Sequence, residues 1–254
     1  MNQPVEERGD ADAWVAPDDV VLARASSSTG IVTLTQSGLR ELIGESFRGV
    51  TLPASSPTVK QALAMDYTHA MMPAAPSDNR VDWTTAADAT FQYRGVHHTF
   101  RRLLIDGDTA YPFCFFDAAA TCFYLPTAML VALEECERVE RARDGSVFDL
   151  GFFACQMLRP ACSSGRLDLL SEPQQHAVVS FVEHALRVEQ RDRTRAERAE
   201  GDWQRRANAW DTELSDVSTL VDELRGHFGI PPRPGVGDRL PSPNMFASGM
   251  CDDT

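Results

Sequence analysis

A chain of 254 residues with 43% hydrophobic residues can bury one sizeable core and still carry appendages. Its 24 basic and 37 acidic residues leave a formal net charge of -13, which argues against non-specific nucleic acid or anionic membrane binding, since both depend on excess Lys and Arg. Six cysteines occur without a CxxC pair or an export signal, five of them in apolar surroundings where a free thiol behaves as a small hydrophobe, so a disulfide framework is not expected.

The chain starts with residues 1–18 as a disordered acidic leader: its first nineteen residues hold six acids against one arginine. No hydrophobic run for export stands there, so a cytoplasmic protein is expected. Val20–Ala25 and Ile31–Thr35 are β-prone runs around a Ser-rich turn, the pattern of a small N-terminal hairpin. From Ser37 the period becomes helical, with Leu39, Leu42, Ile43 and Phe47 inward and Gly49 closing the segment. Ser56 and Pro57 predict the cap and first turn of a second helix burying Val59, Leu63 and Tyr67. Residues 71–82 read as loop. Thr84 or Thr85 predicts the cap of a third helix through Ala87, Phe91 and Tyr93, interrupted by Gly95. Phe100, Leu103, Leu104 and Ile105 then lead into the turn at 106–108.

The most apolar stretch is Phe116–Val139, uncharged from Ala118 to Leu133. Asp117 can cap a short turn through Phe123, and Pro126 suits the first turn of a new helix, which places a sharp joint at Leu125. Met129, Leu130, Leu133 and Cys136 fall on one stripe, and small or apolar residues fill the other side, so this helix is expected to be buried nearly all round. A membrane span needs ~20 apolar residues, and this run is broken by Pro126 and bounded by Asp117, Glu134 and Glu135. Val147–Leu158 predicts another buried helix, stopped by Pro160. Ser171 three residues before Gln174 is a capping-box spacing, followed by paired apolar positions at Ala177, Val178, Phe181, Val182, Ala185 and Leu186.

Two of these blocks, FYLPTAMLVAL at 123–133 and LDLLSEPQQHAVVSFVEHAL at 167–186, resemble an uncharacterised bacterial domain family of unknown function. Its members look alike in a Tyr-Leu-Pro helix start and a later Leu-Leu-Ser/Thr-x-x-Gln helix start. The resemblance covers about residues 38–186 and implies a small, mostly helical domain with no implied activity or cofactor.

Beyond it, Arg187–Arg206 mixes arginines and acids at i,i+4, the pattern of a solvated helix. Trp203, Ala207, Trp210, Leu214, Val217, Val221 and Leu224 then alternate steps of four and three, a narrow seam of the kind that packs on another helix. This seam can fold back on the chain's own bundle, or it can bind a partner or a second copy, with the two tryptophans as anchors. Gly226 or Gly229 ends it. The fold expected is therefore mainly α: an irregular helical bundle around a buried central helix in residues 19–186, a helical extension at 187–229, and a disordered Pro- and Gly-rich tail from 230 to 254.

Chemistry-bearing residues are sparse. Asp66 and His69 share a helix face at a spacing of three, and with His97 and His98 they could assemble a divalent-metal site. His176, Ser180 and His184 share one side of a helix but lack the strained turn and oxyanion donors of a nucleophile site. No Gly-rich phosphate loop, HExxH or GxSxG occurs. The leading expectation is a non-catalytic protein-interaction module with no cofactor and no bound metal. The alternative is an enzyme, a metal-assisted hydrolase, built on Asp66, His69, His97 and His98.

Overall fold

The computed structural model describes residues 34–68, 82–93, 95–106, 112–142, 148–198 and 203–233. In chain order these form α1 (Gln36–Ser46), α2 (Val59–Thr68), the strands β1 (Thr90–Tyr93) and β2 (Val96–Thr99), and α3 (Phe100–Asp106). A 3-10 turn (Pro112–Cys114) then leads to α4 (Ala118–Ala142), α5 (Leu150–Ser163), α6 (Glu172–Arg198) and α7 (Trp203–Phe228). The fold is mainly α, with one two-stranded hairpin among the described residues.

The apolar stretch is central, as expected, but its proline does not start it. Asp117 caps α4 by accepting the Ala120 N–H at 2.7 Å, and the helix runs unbroken through Pro126. A proline inside a helix forfeits one backbone hydrogen bond and costs about 3 kcal/mol. Burial outweighs that cost here, because every residue from Ala120 to Met129 is buried. The sharp joint expected at Leu125 is therefore absent, and that residue is wholly enclosed. Tyr124 on this helix stacks on Phe116 at 4.7 Å between ring centres and meets Phe100 and Phe123 edge-on. Burial pushes its pKa up to about 12, with the Val59 backbone at the start of α2 acting weakly in the opposite direction. Thr127 donates to the Trp83 carbonyl at 2.6 Å and so ties the turn at 83–88 to the same helix.

That turn leads into a hairpin, not the third helix expected from Ala87 and Phe91. Asp82 accepts from both the N–H and the hydroxyl of Thr84, holding residues 83–88 in turns. Thr90, Phe91, Tyr93, Val96 and Thr99 are all β-prone, and Tyr93 pairs with Val96 across Arg94 and Gly95. The two-residue connection needs a positive φ, and Gly95 supplies it at 79°. The spacing of Ala87 and Phe91 fits a helix equally well, and the turn chemistry decides against it. The hairpin expected at 20–35 lies outside the described residues except at its end, where Thr35 caps α1 by accepting the Gly38 N–H.

The other boundaries shift for local reasons. In α2 the capping residue is Thr58, not Ser56: Gln61 reaches back to accept the Thr58 N–H at 2.8 Å. α5 starts behind Asp149, which accepts the Phe152 N–H, and passes through Pro160 to Ser163. Its end is set by Gly165 at φ 70°, where the Arg166 N–H bonds the Ala161 carbonyl. α6 opens as the capping box predicts, with the Ser171 N–H donating to Gln174 at 2.9 Å. It then continues across residue 186, the expected end of the domain, as one helix. α7 packs along α5 and α6, so Val217, Leu220, Val221 and Leu224 belong to the same core as Phe123 and Phe181.

The start of the tail is ordered by contacts as well. Gly229 at φ 66° ends α7, with the Ile230 N–H bonding the Arg225 carbonyl at 2.8 Å. Ile230–Arg233 then turns back along α7, and the remaining tail lies outside the described residues.

Candidate functional site

The seam read from the sequence divides in two. In its second half, Val217, Val221 and Leu224 are buried against α5 and α6 and are not available to a partner. Their burial follows from the period itself, since residues four and three apart share one face and that face meets the bundle. In its first half, Trp203, Trp210 and Leu214 stand in α7, and their side chains fall outside the described residues.

Charged residues brace the flanks of the buried half. On one flank Arg159 of α5 donates to the Asp216 carbonyl at 3.0 Å and sits within 3.8 Å of the Asp216 and Glu223 carboxylates. On the other, Arg225 holds Glu183 of α6 with Nε at 3.0 Å and Nη2 at 2.5 Å, and also donates to the Pro231 carbonyl. Next to it, Arg233 donates to the Ser218 hydroxyl at 2.9 Å and to Asp222 at 3.1 Å. Sequence reading had no access to Arg225, Glu183 or Arg233, because their pairing depends on helix packing across distant segments.

α5 begins abreast of Glu189 and Val217, where the Gly151 N–H donates to Glu189 at 3.1 Å. Residues 203–216 of α7, ~21 Å of helix, and the last turns of α6 lie past the start of α5. The tryptophans of the seam belong to this distal length.

Of the polar candidates, His97 and His98 lie among the described residues. His97 and His98 follow one another on β2 and so point to opposite faces. His98 stacks on Phe91 across the hairpin, with ring centres 5.8 Å apart, and His97 is exposed. Asp66 lies in α2 with its side chain outside the described residues, as is the whole of His69. Among the described residues no three His, Cys, Asp or Glu side chains form a group able to hold a metal ion. On α6, His176 is exposed, and burial, aided by Arg187 and Arg191, depresses the His184 pKa to about 4. Burial also raises the thiols, Cys122 and Cys155 to about 11 and Cys136 to about 12, so they stay protonated at neutral pH and are weak nucleophiles.

A polar cleft of about 250 Å³ opens where α1 starts against α4, lined by Thr35, Gln36, Ser37, Arg40 and Glu137. Inside it Arg40 Nη2 donates to Glu137 at 2.8 Å, and the Gln36 amide donates to the Leu133 carbonyl at 2.6 Å. The charges of the cleft thus largely satisfy each other. Among the described residues no helix is long and apolar enough to cross a membrane.

No match to the chain is found among curated proteins or solved structures. A family model does match, and it reaches beyond residue 186, the limit of the resemblance read from the sequence, into the first turns of α7. From Thr35 at the cap of α1 to Trp210 in α7 the chain matches DUF6714, a family of unknown function, and it belongs to that family.

Proposed function

We propose that the protein is a non-catalytic, cytoplasmic interaction module that binds another protein, or a second copy of itself, through the distal length of α6 and α7. The observation that supports this is the mismatch in helix length: α7 continues ~21 Å past the start of α5, and that stretch carries the heptad positions Trp203, Trp210 and Leu214. Tryptophan is enriched in the buried centres of protein interfaces, where its large ring displaces water. The net charge of -13 favours a protein partner over nucleic acid.

The test is a pair of substitutions, Trp203→Ala and Trp210→Ala in one chain. Light scattering and recovery of co-purifying proteins from the native host are compared with the unchanged chain. A lower native mass or the loss of a retained partner is expected. If mass and co-purifying proteins are both unchanged while the helical signal is retained, the distal helices are not a binding surface.

A further inference from the structure

One face of α5 is turned outward. Phe152, Cys155, Gln156, Arg159 and Cys162 follow one another at helical spacing on it, whereas Phe153, Ala154, Met157, Leu158 and Ala161 fill the opposite, buried face. Phe152 is 50% exposed and Gln156 is exposed, while the thiols of Cys155 and Cys162 are half-buried. A half-exposed phenylalanine on a regular helix leaves apolar ring area in water, and covering it stabilises any complex that does so. Carboxylates frame this strip. Asp149 stands at its head as the α5 cap, and Asp216 and Glu223 border it on α7 within 3.8 Å of Arg159. Asp168 lies at its foot, 3.0 Å from His227 Nε2. The two thiols sense these groups: burial is the main cause that raises them, Arg159 lowers Cys155, and Asp216, Asp149 and Glu223 raise it, as Glu223 and Asp168 do for Cys162. Four carboxylates thus stand around one guanidinium.

We propose that the face of α5 from Phe152 to Cys162, with its border on α7, docks a basic amphipathic helix of a partner protein. An apolar side chain of that helix covers Phe152, and its arginines or lysines meet Asp216 and Glu223. Those two carboxylates are two turns apart on α7, about 10 Å, the distance between side chains seven residues apart on a helix laid alongside. Charge selects the class of partner. Nucleic acid and anionic membrane both present phosphates, which the surplus of carboxylates repels, whereas a cationic helix is drawn to it. A single aromatic anchor with a charged rim also has the make-up of a contact centre, since aromatic residues dominate interface energies. This surface lies on the near half of α7 and is independent of the distal length that carries Trp203 and Trp210.

A labelled helical peptide of leucine, alanine and arginine, with its arginines at seven-residue spacing, is titrated with the full chain and followed by fluorescence anisotropy. Saturable binding that weakens with salt is expected, and none is expected for the same peptide with glutamate in place of arginine. Phe152→Ala should weaken binding about tenfold, as should Asp216→Asn together with Glu223→Gln. Removing the same charge elsewhere, by Glu45→Gln together with Asp106→Asn, should change it less than about twofold. No saturable binding, equal losses from the two charge pairs, or an unchanged affinity on Phe152→Ala would overturn the proposal. The chain with Trp203→Ala and Trp210→Ala should bind the peptide as the unchanged chain does; a loss there would place the peptide on the distal helices and overturn it as well.

Discussion

Replacing Gly151 by alanine tests whether α5, α6 and α7 meet where the structure brings them together. A Cβ added at Gly151 would lie 2.7 Å from Val217 Cγ2 and 2.9 Å from Glu189 Cγ, closer than Cβ atoms come to their neighbours. Val217 is β-branched and buried in α7, so its methyl has almost no rotamer to escape into. Glu189 can swing away, but only by giving up the Gly151 N–H at 3.1 Å, a hydrogen bond to a carboxylate worth ~1.5–3 kcal/mol. Overpacking adds ~1–3 kcal/mol, and the gain in helix propensity from Gly to Ala returns at most ~1 kcal/mol. A net loss of roughly 1.5–5 kcal/mol is expected in urea unfolding followed by circular dichroism. Gly44→Ala in α1 is the control, since nothing stands within 4 Å of its Cβ, and it should be neutral or stabilising. Val217→Ala in the Gly151→Ala background should recover part of the loss by removing the clashing methyl. If the two glycine variants unfold at the same urea concentration, the junction is not packed as described.

Two further outcomes follow from the same packing. His184 has a folded pKa of about 4 against an ordinary value of 6.5, so the unfolded chain takes up this proton first as the pH falls. Stability should drop by up to ~3 kcal/mol between pH 6.5 and 4 from this group, and His184→Gln should flatten that part of the profile; identical slopes in the two chains would refute the burial of this imidazole. Glu183→Ala leaves Arg225, only 13% exposed, without its carboxylate and should cost ~1–3 kcal/mol in thermal or urea unfolding. Asp106→Ala, which removes a pair exposed at 69% and 50%, should cost under ~0.5 kcal/mol, and equal losses would show that burial does not separate the two pairs.

The elements that were legible in the sequence are those whose signal is local and redundant. The α6 start combines a Ser–Gln capping pair with apolar positions four apart, and both point to one answer. The apolar run of α4 is legible for a similar reason, as burial on all sides leaves no competing pattern. The hairpin at 90–99 is hidden in the sequence because Ala87 and Phe91 keep a helical spacing by chance. The deciding terms there, a capturing Asp82 and a positive φ at Gly95, concern turn geometry more than hydrophobic period. The site is harder still. Periodicity marks the whole seam from Trp203 to Leu224, but that Val217 meets α5 at Gly151 is a contact between segments that no local pattern encodes.

Proline carries the wider lesson about when a local rule yields. Pro126 and Pro160 each read as a boundary, and each sits inside a helix. The rule behind the reading is an energy of about 3 kcal/mol, not a prohibition. Around Pro126 the chain encloses Leu125, Ala128 and Met129 completely, and fully burying a leucine or methionine side chain contributes ~1.5–3 kcal/mol each, so two such residues outweigh the lost hydrogen bond. Pro160 sits in the last turn of α5, where the carbonyls of Pro160 and Ala161 are already taken by Ser164 and Arg166, so little helix remains for it to disrupt. A proline in an uncharged apolar run is thus weak evidence for a helix end, whereas one followed by a solvated turn marks an end that is a few residues away.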